Sequence, residues 1–100
     1  MIIVAGTQRL HAADLERLRG KANATIAATR AEPGCLVYSF AEDLTEPGLV
    51  RIYEEWESRA DLDRHAQSDH IAVWRAALSE VEVLGRDLKV IEVAKSEPLA

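Results

Sequence analysis

The stretch from Cys35 to Glu57, CLVYSFAEDLTEPGLVRIYEEWE, consists of two apolar, β-branched and aromatic runs on either side of TEPG. Proline beside glycine marks a turn, and two strand-like runs joined by so short a turn predict an antiparallel hairpin. Alternation along the second arm sets Ile52, Glu54 and Trp56 on one face and Arg51, Tyr53 and Glu55 on the other. The first arm is less polarised. Leu36, Tyr38 and Phe40 alternate with Cys35, Val37 and Ser39, and neither set is polar enough to face water comfortably. Both faces of that arm need cover, which predicts a homodimer packed sheet against sheet.

Outward from the hairpin, the pattern changes period. MIIVAGTQRL at the start is apolar and β-branched, then mixed, as in a first strand. In the next segment Leu15, Leu18, Ala22, Ile26 and Thr29 recur at helical spacing, with charges opposite, until EPG at 32–34 ends the helix. Beyond the hairpin, Ser58 followed three residues later by Asp61 reads as an N-cap of a short helix running to about Gln67. SDH at 68–70 then starts a second piece, with Ile71, Trp74, Ala77 or Leu78 and Val81 as its apolar stripe, and DLKVIEVAK closes the chain as a strand. The order is β-α-β-β-α-β with the second helix broken in two. This is the ferredoxin-like α+β arrangement, one domain spanning residues 1–100, with four antiparallel strands and both helices on one face.

Composition removes several functions. The net charge is −5 and none of the twelve Lys and Arg gather into a block, which argues against nucleic acid as a partner. No apolar run approaches the ~18 residues of a membrane span, and MIIVAG is too short for a secretory h-region, so a cytoplasmic protein without membrane contact is expected. Cys35 is the only cysteine, which excludes an intramolecular disulfide and fits a small buried hydrophobe in a reducing compartment.

The chemistry concentrates in EEWESRADLDRHAQSDH, residues 54–70. Glu54 falls beside Trp56 in a partly buried space, where an unpaired carboxylate is costly; His65 and His70 are its expected partners. His65 shares a helical face with Leu62 and lies near a helix C-terminus, which favours the protonated ring. His70 lies near a helix start, which favours the neutral one. Titratable groups in opposed environments form the pattern of an acid/base site. Each residue also has an ordinary reading: Trp56 as a core or dimer-contact side chain, the histidines as hydrogen-bonded structural groups, Glu54 as the ion-pair partner of an arginine, His11 as exposed. No metal is expected, because His65 and His70 sit on different helix pieces and no third ligand stands near them in the sequence.

EPGCLVY followed by EEWESRADLDRHAQSDH resembles the antibiotic biosynthesis monooxygenase domain, and within it the small bacterial quinol monooxygenases. Glu32, Gly34, Cys35, Tyr38, Glu54, Trp56, Leu62, His65 and His70 carry the likeness. The resemblance implies a dimeric α+β barrel that oxidises an electron-rich phenol with O₂, using no flavin, haem or metal. It casts His65 or His70 as the base, Glu54 as the group orienting one of them, and Trp56 and Tyr38 as the walls of an aromatic slot. The first strand carries Thr7 and Gln8 where the haem-degrading and anthrone-oxidising branches have asparagine, and the second helix ends with Trp74 and Arg75 where the haem branch has histidine. Haem degradation is thereby disfavoured and anthrones match less well than quinols, and the resemblance implies a quinol- or anthrone-like hydroxylated aromatic as the substrate. A non-catalytic ligand-binding dimer and an isomerase-like proton shuttle are the alternatives, since fold and motif do not guarantee chemistry.

Overall fold

A computed structural model describes all 100 residues. The elements run β1 (Ile2–Leu10), α1 (Ala12–Arg30), β2 (Cys35–Glu42), β3 (Leu49–Trp56), α2 (Arg59–Ala66), α3 (Asp69–Leu78) and β4 (Val83–Glu92). Every strand pairing is antiparallel and the sheet order is β2-β3-β1-β4, the ferredoxin-like topology that the sequence implies.

The hairpin turn is built by side chains. The Asp43 carboxylate accepts from the Thr45 backbone N–H and hydroxyl and from Arg51 Nε, at 2.7–2.9 Å. These contacts hold its carboxyl at about 2, below the usual carboxylate range. Gly48 takes a positive φ of 84°, and a Cβ there would meet the Leu10 carbonyl oxygen at 2.2 Å, so only glycine fits. Both expected caps form: Ser58 Oγ accepts from the Asp61 N–H at 3.2 Å and Ser68 Oγ from the Ile71 N–H at 3.4 Å. The Ser68 cap marks the break between α2 and α3.

On β3 the alternation is as read, with Ile52, Glu54 and Trp56 buried beneath the helices and Arg51 and Tyr53 exposed. On β2 it is not. The register shifts between Cys35 and Val37, so Cys35 lies opposite Trp56 while Tyr38 and Phe40 lie opposite Glu54 and Ile52. Leu36 is the inserted residue and is exposed, instead of sharing a face with Tyr38 and Phe40. Cys35 is half-buried rather than buried.

The core forms two clusters. Leu10, Leu18, Ala22, Trp74 and Ala77 join α1, α3 and the end of β1. Ile2, Tyr38 and Trp56, with Ile26 and Leu62 against them, fill the other end. Val81 packs on the first cluster from the turn beyond α3, not from within the helix. β4 begins at Val83, four residues before the apolar pattern suggests, and stops at Glu92. No helix of the chain is long and apolar enough to cross a membrane.

Candidate active site

Between the sheet and α2–α3 lies a cavity of about 260 Å³. Its floor is the inward face of the strands, including Val4, Gln8, Tyr38, Ile52 and Glu54. Leu62, His65, Ile71 and Trp74 come down from the helices, and Arg75 and Arg86 stand at its rim.

The last turn of α2 drives His65 into the interior, where it is 5% exposed. Its ring lies 4.8 Å from the Trp56 ring and 5.2 Å from that of Tyr38. His65 Nδ1 is 2.8 Å from Glu32 Oε1, and His70 Nε2 touches the same oxygen from the first turn of α3. Ser68 Oγ also stands 3.2 Å from His70 Nε2. An ionised carboxylate only accepts, so both ring nitrogens facing Glu32 carry hydrogen. In the neutral ring that assignment puts the lone pair on His65 Nε2, on the opposite edge.

Glu54 is held differently. Its Oε1 accepts from Trp56 Nε1 at 2.9 Å. Burial pushes the Glu54 carboxyl above its usual range, against the opposing pull of the Trp56 N–H and of nearby His65. Burial likewise pushes the Tyr38 phenol well up, keeping it a neutral donor at the cavity wall.

Of the five residues singled out from the sequence, Tyr38, Glu54 and His65 therefore border the cavity. Trp56 does not. It is fully buried behind them, where it ties down Glu54 and backs His65. His70 faces a separate open groove with Glu32, Pro33 and Ser68, and reaches the cavity only through Glu32 and His65. The carboxylate that orients the histidines is Glu32, not Glu54. Sequence reasoning gave Glu32 no role, although a carboxylate pinned just before a Pro-Gly turn was its signal. Gln8, Trp74 and Arg86 were also missed as cavity residues; Gln8 is the polar member of an otherwise apolar inward series, Ile2, Val4 and Leu10.

Glu32, His65 and His70 bring three potential metal donors within 4.8 Å of one another, so the absence of a third ligand near the histidines is corrected. Metal bonds of about 2.0–2.1 Å in tetrahedral geometry hold nitrogen and oxygen roughly 3.3 Å apart. The Nδ1 to Oε1 separation of 2.8 Å is instead that of a direct hydrogen bond. As arranged, the carboxylate bridges the two imidazoles through hydrogen bonds.

An antiparallel ferredoxin-like sheet with helices on one face, a cavity between them and, in its wall, a histidine bonded to a carboxylate define the α+β domain. Residues 1–77 match the family model for antibiotic biosynthesis monooxygenase, and the chain belongs to that family. An uncharacterised Synechocystis protein, sll1783, is 30% identical over 98 residues, which span 98% of this chain and 67% of that protein. Rv0793 of Mycobacterium tuberculosis, named as a candidate monooxygenase, is 38% identical over 64 residues, or 64% of this chain and 62% of the relative. Its solved structure superposes with a TM-score of 0.77 at 29% identity, covering 99% of this chain and 98% of that one. A Deinococcus radiodurans structure, described as a candidate antibiotic biosynthesis monooxygenase, superposes with a TM-score of 0.90 at 28% identity, covering 100% and 99%.

Proposed function

We propose that this protein is a cytoplasmic, homodimeric monooxygenase that oxidises a small hydroxylated aromatic with O₂ and needs no cofactor. The observation that carries the proposal is His65, anchored through Nδ1 to Glu32 and bordering the cavity with its other nitrogen free. In this reading His65 Nε2 takes the substrate's hydroxyl proton while Glu32 steadies the imidazolium that forms. The resulting electron-rich anion passes an electron to O₂, and the two recombine as a ring-bound peroxide. Loss of water, with the proton returned from His65, leaves a carbonyl on the ring. For a hydroquinone the balance is hydroquinone plus O₂ giving hydroxyquinone plus water, with all four electrons that reduce O₂ supplied by the substrate.

Tyr38, as a neutral donor, stabilises the anion from the sheet side. A volume of about 260 Å³ lies just below the range of ligand pockets, about 300–1,000 Å³, and suits one or two rings better than the three of an anthrone. The homodimer reading draws on the sheet face turned away from the helices, where Tyr53 and Ile91 are exposed. Pairing of two such faces would bury them.

The test is O₂ uptake on a panel of hydroquinones and anthrones with no cofactor added. Wild-type protein is expected to consume O₂ with hydroquinones, and His65→Ala is expected to lower the rate by roughly 10²–10⁴-fold. Uptake unchanged in that variant would overturn the proposal. Turnover that persists without O₂ would identify a proton shuttle, and binding without turnover a ligand-binding barrel.

A further inference from the structure

Gln8 is 6% exposed, borders the cavity, and its side-chain amide finds no hydrogen-bond partner in the protein. Its amide atoms are not among the fully buried unpartnered ones, so they stay accessible from the cavity, and an amide makes hydrogen bonds wherever it can. One facing a cavity is satisfied by what enters it. Directly across the β1–β4 ladder, in register with Gln8, stands Arg86. Paired residues of an antiparallel ladder point to the same face, so its guanidinium shares the cavity rim with the Gln8 amide. Arg86 likewise makes no ion pair or hydrogen bond, although Glu54 is near enough for the two charges to interact. Glu54 is occupied by Trp56. The second rim arginine is engaged as well, since Arg75 Nη1 donates to the Ala66 carbonyl at 3.0 Å.

A free cation and a free amide, side by side at the open end of a pocket in a chain of net charge −5, make a specific local exception. We infer that Gln8 and Arg86 form a subsite for an anionic oxygen group, and that the substrate is a planar hydroxy-aromatic carboxylate. The guanidinium fork matches the two oxygens of a carboxylate, and the amide N–H₂ adds a third donor. The hydroxyl end then lies toward His65. This inference rests on the proposed function only in placing the aromatic ring in the same cavity, and it deepens that reading by giving the ring an acid group.

Binding can be followed by calorimetry with 4-hydroxybenzoate and its neutral isostere 4-hydroxybenzamide, at constant ionic strength. Wild-type protein is expected to bind the acid about 10- to 100-fold more tightly than the amide. Arg86→Met, on an exposed edge strand, is expected to bring the two affinities together, and Gln8→Leu to weaken the acid. Should Gln8→Leu fail to fold, Arg86→Met alone decides the matter. Equal affinities in the wild type, a preference that survives Arg86→Met, or no binding of either compound each overturn the inference. Hydroquinone-driven O₂ uptake, measured in parallel, separates the two proposals: uptake without acid preference removes the subsite alone, and absence of uptake removes the oxidation.

Discussion

The two halves of the sheet are built to opposite standards. Under β2 and β3, the rings of Tyr38, Trp56 and His65 pack within 6.4 Å of one another, with Glu54 paired to Trp56 and His65 to Glu32. Along β4, nothing but Leu88 is even half-buried, and Val90, although it faces the cavity side in register with Val4, is 47% exposed. The closed half fixes where a proton can go. The open half leaves room for a ligand to arrive, and it carries the donors still without partners. Precision and access are thus divided between neighbouring strands rather than combined in one loop.

That contrast can be broken most forcefully at Trp56. Trp56→Ala removes a fully buried ring and leaves Glu54 unpartnered, and is expected to cost about 3–5 kcal/mol in chemical denaturation. Val90→Thr on the open side is expected to stay within about 0.5 kcal/mol. Similar costs at the two positions would mean that the halves are equally packed. The seam between them is Gly6, where an added Cβ would sit 1.9 Å from the Asp87 carbonyl oxygen. Gly6→Ala is expected to lose about 1–3 kcal/mol by pushing β4 off β1, with the amides of β4 exchanging hydrogen faster than those of β3.

The smallest effect concerns Glu54. Its carboxyl is raised in the folded state, so the folded protein binds that proton more tightly than the unfolded chain does. Stability from this group therefore falls as pH rises from its ordinary value near 4.5 through the raised one. Glu54→Gln removes that slope, and denaturant midpoints measured from pH 4 to 8 should decline less steeply than in the wild type. A wild-type profile that climbs over this range for want of any such term would contradict the burial argument.

How much of this was legible in the sequence follows from the range of the interactions. The hairpin was readable because TEPG and the alternation of β3 are local, and the helix break because Ser58 and Ser68 cap the segments that follow them. The facing of β2 was not, since a period of two presumes no inserted residue and Leu36 is one. The start of β4 was hidden because an edge strand with both faces wet needs no apolar pattern. At the site, the neighbourhood of Glu54, Trp56 and His65 could be anticipated from spacing. The bond from Glu32 could not, for it joins residues 33 and 38 positions apart. Nor could the depth of Trp56, which depends on three elements meeting over it.

β4 is also a sheet margin, with a row of backbone N–H and C=O groups that no neighbouring strand satisfies. Such a margin invites another chain to zip onto it, and proteins deter this with charge. Arg86, Asp87, Lys89 and Glu92 supply that deterrent along β4. Arg86 thus serves twice, so a chain engineered to lose it would trade not only selectivity but also colloidal stability, clumping through the very strand that keeps the pocket mouth ajar.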